Sequence, residues 1–168
     1  MTITADDLAA PARDVPVVSP APLVPDPDFG PTDRFEGWAA AAIITALAAV
    51  TRFLNLGSPT DAGTPIFDEK HYAPQAWQVL RNSGVEDNPG FGLVVHPPLG
   101  KQLISLGEAL FGYTGLGWRF SGAVFGVILV ALVVRIVRRI SRSTTVGAMA
   151  GLLLVADGVS FVSARTAL

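Results

Sequence analysis

The sequence contains no cysteine, which excludes a disulfide framework, a thiolate metal site and a thiol nucleophile. Charge is scarce as well. Only 15% of the 168 residues are Asp, Glu, Lys or Arg, against 50% hydrophobic residues and a mean hydropathy of +0.46. That balance lies far from an average soluble domain and reads as an all-α integral membrane protein. The region ahead of the first apolar run is acidic on balance, where a secretory signal would need a basic one. Asp68-Glu69 with one histidine could touch a divalent ion, but no ligand set of defined spacing is present, so no metal is assigned and metal use stays open. A nucleic-acid partner is not expected either.

The charge that is present is unevenly placed. Residues 1 to 36 carry seven acids against two arginines, whereas residues 116 to 168 carry six arginines against one aspartate. Seven prolines among the scattered aspartates of 1–36 leave too little apolar surface to offset chain entropy, so a disordered tail is expected there. Trp38 to Leu56 holds one charge, Arg52, and its 19 residues match the ~20 that cross a hydrocarbon core. Two further runs, Leu116 to Val134 and Val146 to the C-terminus, predict about three transmembrane helices. Four arginines between Arg135 and Arg142 mark the connection 135–145 as cytoplasmic by the positive-inside rule. Alternation then puts the tail inside and residues 57–115 outside.

That outer loop is where the chemistry gathers. Asp68-Glu69 precedes His96-Pro97-Pro98-Leu99-Gly100-Lys101 by twenty-eight residues. Ala73, Trp77 and Leu80 predict a short amphipathic helix from near Pro74 to Gly84, and Leu99, Leu103, Leu106, Leu110 and Phe111 predict another from Pro98. Both suit a membrane surface, and Asn82-Ser83-Gly84 and Asn88-Pro89-Gly90 mark turns between them. In isolation the acidic pair reads as a solvated turn or a helix cap, His96 as a turn residue and Lys101 as a snorkelling lysine. Arg52, Arg119 and Arg165 read as headgroup residues near span ends. Asp157, about eleven residues into the third run, has to face a bundle interior or a polar cavity, with Arg165 as a candidate structural partner. The topology puts Asp68, Glu69, His96, Lys101, Arg119, Asp157 and Arg165 in the outer half, where cations can hold a phosphate and a carboxylate can take a proton. That is a lipid-phosphate site hypothesis.

Five strings taken in order carry a resemblance: Arg52 to Gly57, Ile66 to Tyr72, His96 to Lys101, Trp118 to Gly122 and Asp157 to Arg165. From about Arg52 onward the chain resembles the N-terminal part of a protein O-mannosyltransferase, most like the actinobacterial branch. The resemblance implies a multi-span GT-C-type helical bundle in the cell membrane. It also implies inverting transfer of mannose from polyprenyl-phosphate-mannose to Ser or Thr hydroxyls of secreted or membrane proteins. Asp68 then acts as general base and Glu69 orients acceptor or base. Arg119, Lys101 and His96 hold the donor phosphate, and Asp157 and Arg165 support the site. Membrane lipids and the secretory translocation channel are the other partners it implies. Many relatives carry an aspartate two residues before the histidine, where this chain has Val94, so any role of that acid is absent. The family also has more spans than this chain holds, so the expected reading is an N-terminal fragment with little activity alone. Two alternatives remain: another polyprenyl-phosphate-sugar transferase acting on lipid or cell-wall glycan, and a non-enzymatic membrane subunit or transporter fragment.

Overall fold

A computed structural model describes residues 31–57, 65–85 and 98–167. The described residues form six helices and no strand: α1 Pro31–Phe53, α2 Glu69–Arg81, α3 Pro98–Phe111, α4 Gly115–Ser141, α5 Thr144–Ala156 and α6 Gly158–Ser163. Two of them, α1 and α4, are long and apolar enough to cross a membrane. Helix α1 starts at Pro31, inside the stretch expected as tail.

Helices α1, α4 and α5 pack on one another. Their contact is built from small and branched side chains: Ala41, Ile44 and Ala48 of α1 meet Val130 and Val134 of α4, with Ala148, Leu154 and Val155 of α5 against them. Alanines at i, i+7 and an isoleucine between them form a narrow stripe that lets helices approach closely, the mode of packing available in lipid. Against this stands a second cluster in which Ala73 and Ala76 of α2, Ile104 of α3, Trp118 of α4 and Ala167 converge. It joins α2 and α3 to the first turn of α4.

Two expected boundaries shift. The arginine-rich connection is helical as far as Ser141, because Arg and Ile are adequate helix formers and neither glycine nor proline interrupts them. The actual link is Arg142, left-handed at φ 55°, and Ser143, whose side chain caps α5 by accepting from the Val146 N–H at 3.3 Å. Within this connection Arg138 is buried and donates from Nε to Thr144 Oγ1 at 2.8 Å, while the Arg135 guanidinium lies 3.7 Å from the Trp38 ring centre.

The third expected span is not one helix. The 13-residue α5 rises about 20 Å, short of a ~30 Å hydrocarbon core. It stops at Asp157, whose backbone is extended and whose carboxylate accepts from the Ser160 N–H at 2.6 Å to start α6. A side chain able to cap the next N–H groups favours a break where an apolar run alone suggests continuity.

Across that break two arginines brace the helix ends. Arg52, fully buried at the end of α1, donates to the Leu154 carbonyl of α5 at 3.4 Å and to Ser160 Oγ at 3.2 Å. Arg165 donates to the carbonyls of Thr51 and Leu54 at 2.8 Å and of Arg52 and Asn55 at 3.3 Å. Each guanidinium satisfies carbonyls that a helix C-terminus leaves without partners and complements its dipole. Arg52 is therefore an interior brace and not a headgroup residue.

Candidate active site

Helix α2 starts five residues before Pro74, so that proline sits inside it. The start is set instead by the turn Ile66-Phe67-Asp68, where Phe67 takes a left-handed backbone at φ 50°, an uncommon conformation for a bulky residue. Glu69 closes the turn at both levels: its N–H donates to the Ile66 carbonyl at 3.0 Å, and its Oε2 accepts from the Ile66 N–H at 3.0 Å.

Adjacent in sequence, Asp68 and Glu69 have opposite environments. Asp68 is half-buried at the helix N-cap; its carbonyl accepts from the N–H groups of His71 at 2.9 Å and Tyr72 at 3.1 Å, but its carboxylate makes no capping bond. Glu69 is 0% exposed. Its Oε1 accepts from Arg119 Nε at 2.7 Å and from the Ala167 N–H at 3.0 Å, and its Oε2 from the Arg119 terminal nitrogen at 2.6 Å. This is a bidentate, charge-assisted pair. Burial by itself would raise the Glu69 pKa, but the Arg119 side-chain bonds, the Ile66 and Ala167 N–H groups and the Arg119 charge outweigh it and hold it below the usual carboxylate value.

Arg119, also 0% exposed, directs its remaining terminal nitrogen to the Leu56 carbonyl at 3.2 Å. One ion pair thus ties together the turn after α1, the turn before α2, the first turns of α4 and the backbone after α6. Of the seven residues expected at one site, Glu69 and Arg119 are in direct contact. Arg119 sits on a carboxylate, a different partner from the phosphate the sequence suggests.

The others fall as follows. Lys101 lies near the start of α3 and is 1% exposed, so it does not snorkel to an interface. Asp157 is exposed, bonded to the Ser160 N–H, and Arg165 is bonded to α1 carbonyls; the two do not pair with each other. His96, like the Asn88-Pro89-Gly90 turn, lies outside the described residues. No group of three or more His, Cys, Asp or Glu among the described residues could hold a metal ion.

The structure adds a residue the sequence reading passed over. Glu108 of α3 is 1% exposed, and neither carboxylate oxygen has a hydrogen-bond partner among the described residues; nor has the buried Trp118 Nε1. Burial pushes the Glu108 pKa up to about 8. The Tyr113 hydroxyl is raised too, by its own burial and then by the Glu108 charge. A signal existed in the spacing. Lys101, Ile104, Ser105 and Glu108 share one face at i, i+3, i+4 and i+7, opposite the leucines.

Family models described as dolichyl-phosphate-mannose-protein mannosyltransferase match residues 42–118 and 95–167. A polyprenol-phosphate-mannose–protein mannosyltransferase of Mycolicibacterium smegmatis is 76% identical over 168 residues, all of this chain and 33% of the relative. A protein of that name from Mycobacterium tuberculosis is 79% identical over 154 residues, 92% of this chain and 30% of the relative. One from Corynebacterium glutamicum is 55% identical over 130 residues, covering 74% and 25%. The chain spans about one third of the length of the mycobacterial relatives it matches. No solved structure matches it significantly. Its apolar helices and these relatives make it part of a membrane protein. The chain belongs to the dolichyl-phosphate-mannose-protein mannosyltransferase family.

Proposed function

We propose that the protein to which this chain belongs transfers mannose from polyprenyl-phosphate-mannose to Ser or Thr hydroxyls of proteins, with Asp68 as the general base. The observation that carries this reading is the division of labour within the acidic pair. Asp68 keeps a carboxylate that caps no helix N–H, while Glu69 is fixed by four hydrogen bonds. A general base must be held rigidly and still reach a proton. Glu69 and Arg119 supply the rigidity and Asp68 the reach.

In the proposed step the Asp68 carboxylate accepts the acceptor hydroxyl proton as that oxygen attacks the anomeric carbon. The bond from that carbon to the phosphate oxygen breaks on the opposite face, inverting the configuration and releasing polyprenyl phosphate. Arg119 acts through Glu69 as a positioning residue, and Lys101 and His96 are the cations assigned to the departing phosphate. The chemistry takes place on the extracytoplasmic face, with the arginine-rich end of α4 in the cytoplasm. Acceptors are taken as they emerge unfolded from the translocation channel, and Asp157 and Arg165 contribute through helix ends.

The test is mannose transfer from polyprenyl-phosphate-mannose to a Ser/Thr-rich peptide in membranes holding the full-length protein. Asp68→Asn keeps shape and removes the base, so transfer is expected to fall by about 10²- to 10⁴-fold at equal protein level. Full activity in that variant overturns the assignment, and transfer to a lipid or glycan instead of the peptide overturns the acceptor class.

A further inference from the structure

Helix α3 does not lie flat above the membrane-length helix that follows it. Gly107 packs against the Gly117 carbonyl, so closely that a Cβ at Gly107 would collide with it, and four residues earlier on α3 the Leu103 carbonyl accepts from the Ser121 hydroxyl four residues further along α4. Moving back along α3 therefore means moving forward along α4. The two helices are antiparallel, and the first half of α3 lies beside α4 at a level at least six residues, about 9 Å, past its start at Gly115. That places it within one leaflet of a ~30 Å core.

The outward side chains agree with that depth. Leu99, Leu106 and Leu110 of α3 are 60 to 69% exposed, and the exposed apolar face of α4 continues from Phe125 through Ile128 and Leu129 to Leu132. Water would penalise such a continuous surface, whereas hydrocarbon does not. Between the helices this face folds into a groove of about 440 Å³, lined by Leu103, Leu106 and Leu110 on one wall and Phe120, Val124 and Phe125 on the other. Phe120 is itself fixed, with Phe111 at 4.9 Å and Phe53 at 5.8 Å between ring centres. Among the described residues no charged side chain lines the groove, and the hydroxyl of Ser121 at its floor already donates to the Leu103 carbonyl.

We infer that this groove seats one acyl chain of a bilayer phospholipid, which fills the space between α3 and α4 and anchors α3 in the leaflet at which α4 begins. The argument rests on the continuity of the groove with the outward face of a membrane-length helix and on a lining that offers hydrocarbon contacts and no free polar group. It is independent of the sugar chemistry and requires residence in a membrane and a groove that the rest of the protein leaves open.

The test uses the full-length protein in phosphatidylethanolamine/phosphatidylglycerol nanodiscs doped with a phosphatidylcholine that carries a diazirine in mid-chain. After photolysis, labelled peptides are mapped by mass spectrometry. Adducts are expected at Leu106, Leu110 and Val124 at least as strongly as at Leu132 on the open face of α4. Ala109→Trp, which fills the groove, is expected to reduce the groove adducts several-fold and leave Leu132 unchanged. Labelling at Leu132 without labelling in the groove overturns the proposal, since another part of the protein then covers it. Loss of groove adducts on adding polyprenyl phosphate also overturns it, by assigning the seat to an isoprenoid chain. The wild-type pattern decides both outcomes even if the tryptophan variant fails to fold.

Discussion

The middle of α4 and its first two turns are built in opposite ways. Around Val130 and Val134 the helix meets Ala41, Ile44 and Ala48, and everything that holds it is hydrocarbon volume. Around Arg119, beside the apolar cluster at Trp118, it meets a fully buried carboxylate and the Leu56 carbonyl, and charge placed with bidentate geometry adds to what holds it. A core of the first kind loses stability in proportion to the atoms removed. One of the second kind is asymmetric: removing a single partner strands the other charge in a place water does not reach.

The comparison breaks most directly through a pair of substitutions. Arg119→Ala is expected to cost about 3–5 kcal/mol in denaturant or thermal melts, because Glu69 is left buried and unpaired. Val134→Ala, in the apolar packing of α1, α4 and α5, removes packed volume but strands no charge and is expected to cost less, about 1–3 kcal/mol. A larger loss from Val134→Ala would reverse the order of the two regions.

pH sharpens the contrast within the charged region, where two carboxylates shift in opposite directions. Glu69 has a folded value below its unfolded one, so its stabilisation is present above the ordinary carboxylate value and lost as pH falls through the folded value. Glu108 is raised from 4.5 to about 8. The folded state therefore binds more protons than the unfolded chain in that interval, and stability falls as pH rises from about 4.5 to about 8 before levelling. Thermal midpoints across pH are expected to show both limbs. Glu108→Gln should flatten the upper limb and leave the acidic one in place; an unchanged upper limb would mean that Glu108 is not its origin.

The smallest expected effect concerns the arginine braces. Arg165→Ala removes donors from carbonyls at the end of α1 and is expected to cost about 1–2 kcal/mol. Arg165→Lys should recover only part of that, since one ammonium cannot span four carbonyls as a planar guanidinium does. Melting of both variants against wild type measures the difference.

What the sequence made legible follows the same division. Length and apolarity suffice for the cores of α1 and α4, and the leucine spacing after Pro98 suffices for α3, because these depend on periodicity within one segment. The continuation of α4 through its arginines was hidden, since a charge pattern that reports topology says little about where a helix ends. The break at Asp157 was hidden because a carboxylate inside an apolar run reads equally as a buried charge or as a cap. Within the site, the resemblance gives Asp68 and Glu69 different roles, base and orienting partner, but the residues themselves do not show the physical difference between them. Their difference is set by Arg119, fifty positions away, and by the Ala167 backbone. Glu108 escaped because it stands between Gly107 and Ala109 in a helix recognised by its leucine spacing, and only the face it shares with Lys101 separates it from a solvated residue.

The central claim is that the acidic pair divides into one carboxylate that does chemistry and one that holds the fold. It is tested most directly by measuring thermal midpoint and mannose transfer together for Asp68→Asn and Glu69→Gln in the full-length protein. The account predicts that Asp68→Asn melts like wild type and transfers almost nothing, whereas Glu69→Gln melts well below wild type. If Asp68→Asn lowers the midpoint as much as Glu69→Gln while its folded fraction still transfers mannose, the division is contradicted.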